Sequence, residues 1–228
     1  MSFKEKKYTI KRGAISKEVA SFLYDYVCLK RKVARTMFDV KFLSPYTEYF
    51  GVWNDEQVPN TYSHYSDIGM ETLLENLKPL MEKETGLNLV ATYTYFRIYK
   101  NGDILKRHKD RKACSVSTTM NLGGDPWPIY LSPNENIGLP EIEGGLKGIT
   151  SSSDAEGIKV DLEPGDMLIY SGCELEHWRE PFQGGNNAQV FLHYNNRSEP
   201  NAKKQKLDSR MHLGLPSWFK GKPKDSFK

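Results

Sequence analysis

Short runs of residues that alternate between two faces dominate the second half of this chain. The alternation is clear from Val90 to Tyr99, and a period of two is typical of a β-strand with a different environment on each side. Turn sequences rich in Gly, Pro, Asn and Asp separate the runs. The other runs lie at Tyr8–Gly13, Cys114–Leu122, Trp127–Leu131, Ile158–Leu162, Met167–Tyr170, Glu176–Glu180 and Ala188–Tyr194. Eight or so short strands with regular turns predict a sandwich or jelly roll.

Two amphipathic helices are predicted before the strand-rich half. Apolar residues at helical spacing indicate one helix from Lys17 to about Arg35 and a second from about Met70 to Glu84. Pro79 lies inside the second pattern and is expected to kink or split it. The aromatic, turn-rich segment between them, 38–67, predicts strands with long loops. The face of the first helix expected to pack against a sheet consists of Val19, Phe22, Leu23, Tyr26 and Val27.

The length of 228 residues fits one domain with a terminal extension. We divide it into helical support over about 1–90, a β core over about 91–197 and a basic tail over 198–228. From Ala202 to Lys228 the tail holds eight Lys or Arg against two Asp, and such charge runs are usually solvated. The long segment Ser132–Gly157 is expected to be a mobile loop at the mouth of a site.

The composition limits which cellular compartment and which kinds of partner are expected. The three cysteines form no CxxC motif, which predicts reduced thiols and a cytoplasmic location. No apolar run is long enough to span a membrane, so no membrane partner is expected. The net charge of +3 is too small to indicate nucleic acid by itself.

A metal site is indicated by His108-x-Asp110 at the end of a predicted strand. On an extended strand, residues two apart point the same way, so one imidazole and one carboxylate can reach one ion. His177, on a later predicted strand, is the candidate third ligand. Two His and one carboxylate on one face of an ion are typical of non-haem Fe(II) oxygen chemistry, although zinc hydrolytic sites use similar ligands. The alternative interpretation is that His108 and His177 are ordinary surface histidines.

The chain resembles the Fe(II)- and 2-oxoglutarate-dependent dioxygenases, most closely the prolyl 4-hydroxylase-like branch of bacteria and viruses. The resemblance covers about Tyr93–Asn195. It rests on residues in a fixed order: Tyr99, Asn101-Gly102, His108-x-Asp110, Gly165-Asp166, His177 and Pro181.

The resemblance implies a mainly β fold, the double-stranded β-helix or jelly roll, with supporting N-terminal helices. It implies one dioxygenase domain that binds Fe(II) through His108, Asp110 and His177 and uses 2-oxoglutarate and O2. The reaction would hydroxylate an unactivated C–H bond and release succinate and CO2. Its substrate would be a peptide, a protein or a free amino acid, with proline the leading candidate.

One position departs from the family pattern. The family places an Arg or Lys about ten residues after the distal His to pair with the far carboxylate of 2-oxoglutarate, whereas 185–189 holds no cation. Arg179 lies two residues beyond His177, so on one extended strand both side chains share a face. A buried carboxylate needs such a cation. We therefore expect Arg179 to face inward and take this role; the alternative is an outward Arg179 bonded to Glu176 or Glu180.

Other residues are weaker candidates for the site. Tyr99 and Arg97 share the inward strand face and are candidates for binding the cosubstrate. Alternatively, the Tyr99 hydroxyl bonds a local partner and Arg97 pairs with a nearby carboxylate. Gln189 and His193 could donate further hydrogen bonds, although His193 also suits a core position. Trp127 and Trp178 are candidates for lining a substrate groove, or core residues.

Two rival functions belong to other classes. A cupin-like metal- or ligand-binding module without turnover is favoured by the missing distal cation. Oxidative demethylation of nucleic acid is favoured only by the basic tail, so nucleic acid is the less expected partner.

Overall fold

The computed structural model describes residues 2–44, 47–136 and 154–220. Most of the segment expected to be a mobile loop, and the last eight residues of the tail, lie outside these ranges. Within them, no helix combines the length and the apolar character needed to cross a membrane.

Two antiparallel sheets form the core of the described chain. The major sheet has the order β1-β8-β5-β10-β3-β2 and the minor sheet the order β4-β9-β6-β7. The chain crosses between the sheets repeatedly, which is the topology of a double-stranded β-helix. The strands are β1 Tyr8–Lys11, β2 Tyr62–Tyr65, β3 Leu89–Lys100, β4 Leu105–His108, β5 Val116–Gly124, β6 Ile129–Leu131, β7 Ile158–Val160, β8 Met167–Tyr170, β9 His177–Arg179 and β10 Asn186–Asn196.

Helices cover the outer face of the major sheet. They are α1 Phe3–Lys6, α2 Lys17–Asp39, α3 Ile68–Thr85 and α4 Ala202–Gln205. Ser16 caps α2 through the backbone NH of Val19, and Asp67 caps α3 through that of Met70. Pro79 lies within α3, which continues through it to Thr85. The main hydrophobic core lies between these helices and the sheet, so the opposite face of the sheet is left to line the interior of the barrel.

The expected packing face of α2 is partly wrong. Leu23 and Val27 are buried as predicted, whereas Val19 and Phe22 are 44% and 70% exposed. A helix has room for only one stripe against a sheet. Ala20 and Ala34 complete that stripe here, because small side chains let the helix approach the sheet.

The N-terminal segment is more than helical support. Strands β1 and β2 form the two edges of the major sheet, β1 against β8 and β2 against β3. Of the strands expected in 38–67, β2 is the one regular strand in the described residues of that segment.

The tail is not simply solvated. Arg210 is 3% exposed and forms a buried ion pair with Glu71 of α3, with Nη2 2.7 Å from Oε1. Its guanidinium also donates to the carbonyl oxygens of Thr92 and Leu215. The sequence did not predict this ion pair, because charge alone does not distinguish one buried arginine from the solvated basic residues around it. Residues 202–220 therefore form a strap that packs on β10 and β3 and is tied to α3 through Glu71.

Candidate metal centre

Three candidate ligands converge where β4 ends and β9 begins. His108 and His177 are direct partners in the antiparallel pair of these strands, and their ring centroids lie 4.2 Å apart. Asp110 Oδ1 is 3.7 Å from Nε2 of His108 and 3.5 Å from Nε2 of His177. Two imidazole nitrogens and one carboxylate oxygen thus point at one small volume.

Backbone carbonyls fix the tautomer of both histidines. Nδ1 of His108 donates to the oxygen of Lys106 at 2.8 Å, and Nδ1 of His177 donates to the oxygen of Leu175 at 3.0 Å. Each Nδ1 therefore carries a proton, which leaves Nε2, the ring nitrogen that faces Asp110, as the position for a metal. This is the orientation that metal-ligating histidines require.

Asp110 is held by the chain on the side away from the histidines. Its NH donates to the oxygen of Gly172 at 2.8 Å, and the hydroxyl of Ser117 donates to Oδ2 at 2.6 Å. Burial raises the pKa of Asp110, but the positive charge and hydrogen bond that His177 can offer outweigh it and hold this pKa well below its usual range. The carboxylate is therefore ionised and ready to bind a cation.

The donor set fits a divalent transition metal. Burial, and then repulsion from His177, lower the pKa of His108 to about 4, so its ring is neutral at pH 7 and can act as a ligand. A second group, Asp110 with Cys114 and His193, is also compact. Burial raises the pKa of the Cys114 thiol, which makes that set a poorer one because metals bind the thiolate. Two imidazole Nε2 atoms and one carboxylate oxygen match the facial set used for non-haem Fe(II).

Arg179 is a buried cation without a carboxylate partner among the described residues. It is 1% exposed and lies on the same face of β9 as His177. Its guanidinium donates to two neutral acceptors, the carbonyl oxygen of Trp127 and, at 3.2 Å, the hydroxyl of Thr119. Nε has no hydrogen-bond partner within the described chain. Burial lowers the pKa of Arg179 to about 10, because removal from water disfavours a charge that has no carboxylate beside it in the described chain.

Arg97 is in a different situation. Its Nη2 lies 2.7 Å from Oδ2 of Asp55, and its Nη1 donates to Gln57 at 3.1 Å. The carboxylate partner that was the alternative for Arg97 is therefore present. Nε2 of Gln57 also donates to Nε2 of His108 at 3.2 Å. A metal bound to His108 would use the same nitrogen lone pair and would replace this hydrogen bond. Gln57 thus borders the candidate metal site at His108.

Tyr99 and Trp127 lie deeper, close to Arg179. Tyr99 is fully buried, its ring lies edge-on to Trp127 at 4.6 Å, and Arg179 lies over the Trp127 ring at 4.9 Å. Trp127 donates through Nε1 to the oxygen of Glu180 and belongs to a small core cluster with Phe182. The Trp127 ring therefore covers the guanidinium of Arg179, whereas the Tyr99 hydroxyl accepts from Nη1 of Arg97 at 3.4 Å.

Trp178 does not lie with the ligands. Strand alternation puts it on the opposite face of β9 from His177. There it is 3% exposed, stacks on Tyr130 at 5.6 Å and lies under Arg107 at 3.5 Å, an environment that fits its alternative role as a core residue.

Gln189 and His193 occupy two different environments. Gln189 accepts a hydrogen bond from the Thr119 hydroxyl at 3.0 Å, and that hydroxyl also accepts from Arg179. Gln189 therefore belongs to the surroundings of the guanidinium. His193 lies 3.0 Å from the Ser117 hydroxyl, on the side of Asp110, and burial lowers its pKa to about 4.

Sequence reasoning missed the residues that support the site. Asp55 and Gln57 lie in a segment without periodic signal, and only the path of that segment brings them to Arg97. The sequence did hold a signal for Ser117 and Thr119. They lie two residues apart on a predicted strand and therefore share one face of it. Small hydroxyl residues on a face that lines a barrel interior are candidate hydrogen-bond donors.

Comparison with known proteins supports the fold directly. No protein-family model and no curated protein matches the sequence. Among solved structures, a prolyl-4-hydroxylase from Pseudomonas putida matches with a TM-score of 0.53 and 15% identity over 86% of this chain and 96% of that one. HygX from Streptomyces hygroscopicus, solved with nickel and 2-oxoglutarate bound, matches with a TM-score of 0.53 and 14% identity over 86% and 85%.

A third structure extends the match over almost the whole chain. SnoN, a non-haem alpha-ketoglutarate-dependent epimerase from nogalamycin biosynthesis, matches with a TM-score of 0.57 and 14% identity over 97% of this chain and 91% of that one. At these identities the likeness establishes the fold. The mainly β, double-stranded β-helix fold predicted from the motifs is confirmed, and with it the resemblance at the level of architecture.

Proposed function

We propose that this chain is a non-haem Fe(II)- and 2-oxoglutarate-dependent oxygenase that hydroxylates an unactivated C–H bond and releases succinate and CO2. The observation that carries the proposal is Arg179, a buried arginine with only neutral partners, on the same strand face as a candidate metal ligand. A buried unpaired cation is costly, and an anionic ligand bound at the adjacent metal would compensate it.

Each residue then has a defined task. His108, Asp110 and His177 would hold the ion through two Nε2 atoms and Oδ1. Arg179, with the Thr119 hydroxyl, would bind the far carboxylate of 2-oxoglutarate, while Tyr99 and Trp127 exclude water from this pair. When bound, Fe(II) with 2-oxoglutarate and O2 would supply the oxidising chemistry, and the protein supplies orientation and a dry, shaped pocket.

The substrate we propose is an amino acid side chain, in a peptide, a protein or the free amino acid, with proline the first to test. Prolyl-4-hydroxylase from Pseudomonas putida shares the fold, but so does HygX, of which a structure with hygromycin B bound is known. Because one fold serves several substrates, the motif resemblance to the prolyl 4-hydroxylase-like branch carries this preference.

The features that favoured the two rival functions carry less weight in the folded chain. The binding module was favoured by the lack of a distal cation, and Arg179 can fill that position. Nucleic-acid demethylation was favoured by the basic tail. Arg210 of that tail is occupied by Glu71, and Lys220 donates to the carbonyl oxygen of Asp208, so neither is a simple free phosphate contact.

The proposal is tested by 2-oxoglutarate turnover. Purified protein supplied with Fe(II), ascorbate and 2-oxoglutarate should release succinate slowly without substrate, and the Asp110→Ala variant should not. A mass-spectrometric screen of proline, prolyl peptides and other amino acids should then find a product with one added oxygen. Succinate release equal to that of Asp110→Ala, with and without these substrates, would contradict the proposed activity.

A further inference from the structure

Helix α2 carries a row of exposed apolar side chains on the side that does not face the sheet. Phe22 and Leu29 are 70% and 63% exposed, and Val19 and Val33 at either end are 44% and 40% exposed. We call these four residues the α2 stripe. Single exposed apolar residues are ordinary, but a contiguous row along one helix marks an interaction surface.

The spacing of the α2 stripe matches a helix as its partner. Residues 19, 22, 26, 29 and 33 are separated by three, four, three and four positions, which is the repeat of a coiled-coil seam. Tyr26 fills the central position and is half-buried, its hydroxyl donating to Asp67 at 2.8 Å. The helix has 23 residues and is about 35 Å long, so the seam runs over most of its first five turns.

Charged residues along one edge of the stripe select the orientation of the partner. Glu18, Asp25 and Lys32 follow one another at intervals of seven, and all three are exposed. Neither Asp25 nor Lys32 has an ion-pair partner in the described part of the chain. The other edge of the seam holds Leu23, which is buried against the sheet of its own chain and is therefore not available to a partner.

We propose that two copies of this chain associate through antiparallel packing of their α2 helices. In such a pair, residues whose numbers add to about 51 face each other: Phe22 of one copy meets Leu29 of the other, and Val19 meets Val33. On the charged edge, Glu18 of one copy faces Lys32 of the other, twice in the dimer. In a parallel pair, the charged edge of one copy would instead face the opposite edge of the other, where Leu23 is buried and Lys30 is already paired with Asp67. The parallel pair gains no such attraction, so the charge pattern favours the antiparallel two-fold arrangement.

The same geometry includes one repulsive contact. Asp25 lies next to the two-fold axis and meets its own copy, so two like charges approach each other there. Replacing Asp25 by Asn should therefore strengthen the dimer, an effect with the opposite sign to that of substitutions in the stripe.

The test is sedimentation velocity of the full chain over a range of concentrations, with the fold of each variant checked by circular dichroism. The wild type should dimerise, and Phe22→Glu should be monomeric. Ile104→Glu is the matched control because Ile104 is also apolar and 43% exposed but lies off the stripe, and it should dimerise like the wild type.

Charge exchange tests the orientation separately from the stripe. Lys32→Glu should raise the dimer Kd roughly ten-fold, because two attractions become two repulsions of modest size. Adding Glu18→Lys to that variant should restore the wild-type Kd, and Asp25→Asn should lower it by about three-fold. A monomeric wild type at high micromolar concentration, a Phe22→Glu variant that still dimerises, or a double exchange no tighter than Lys32→Glu would each overturn the proposal. A different protein bound at a stripe that does not self-associate would overturn it too.

Discussion

Replacing Arg179 by methionine should separate ligand binding from stability. Methionine fills a similar volume without the charge, so it removes the cation proposed to bind the far carboxylate of 2-oxoglutarate. A charge-assisted hydrogen bond contributes about 1.5–3 kcal/mol, and a bidentate pair would contribute about 3 kcal/mol or more, which is roughly 150-fold in affinity.

Part of that contribution is already offset in the free protein. Arg179 donates to the oxygen of Trp127 and the hydroxyl of Thr119, and some of this bonding must be rearranged when a carboxylate binds. We therefore expect the Kd for 2-oxoglutarate to rise by at least ten-fold, about 1.4 kcal/mol. The assay is calorimetric titration of 2-oxoglutarate into protein loaded with Mn(II), with Mn(II) affinity measured separately and expected to stay nearly unchanged.

The stability of the same variant has the opposite expectation. Because Arg179 is buried without a carboxylate partner, its loss should leave Tm of the ligand-free protein unchanged or higher. Arg97→Met is the matched control: it leaves Asp55 without the arginine 2.7 Å away and should lower the free energy of unfolding by about 1–3 kcal/mol. An unchanged 2-oxoglutarate Kd in Arg179→Met would refute the assignment, and Arg97 would be the next residue to examine.

Three further predictions address the support of the site and the fold. Ser117→Ala removes the 2.6 Å bond to Asp110 and should weaken Mn(II) binding roughly ten-fold by electron paramagnetic resonance; an unchanged affinity would show that the hydroxyl does not orient the ligand. Arg210→Met leaves the buried carboxylate of Glu71 without its arginine partner and should lower the free energy of unfolding in urea by about 3 kcal/mol, whereas no loss would mean that this ion pair contributes nothing. Burial raises the pKa of Asp67, but hydrogen bonds and nearby positive charge hold it well below its usual range, so its stabilisation is present above the unfolded pKa of about 4 and is lost as pH falls toward the folded one. Asp67→Asn should therefore make urea stability decline less steeply below about pH 5, and equal slopes would contradict this.

Local periodicity was sufficient to predict the strand core. Met167–Tyr170 is a strand with the predicted bounds, and the long alternating strand at 89–100 differs from its prediction by one residue at each end. A period of two also predicts which side chains share a face. That is why the orientation of Arg179 relative to His177 could be worked out before the structure, whereas its hydrogen-bond partners could not.

Long-range packing accounts for what periodicity did not predict. Asp55 reaches Arg97 across 42 residues, and Arg210 reaches Glu71 across 139, so no local pattern marks either pair. The exposure of Phe22 has the same origin, because a wide apolar helix face does not indicate which part of it the sheet will cover. Which of several apolar residues on a helix become buried against the sheet depends on the tertiary packing of the folded chain.

A crystal structure with Mn(II) and 2-oxoglutarate, prepared without oxygen, tests the central claim most directly. The account predicts one ion within about 2.0–2.3 Å of Nε2 of His108, a carboxylate oxygen of Asp110 and Nε2 of His177. It also predicts the far carboxylate of 2-oxoglutarate on the guanidinium of Arg179. An ion held instead by Asp110 with Cys114 and His193, or a 2-oxoglutarate carboxylate bound away from Arg179, would contradict it.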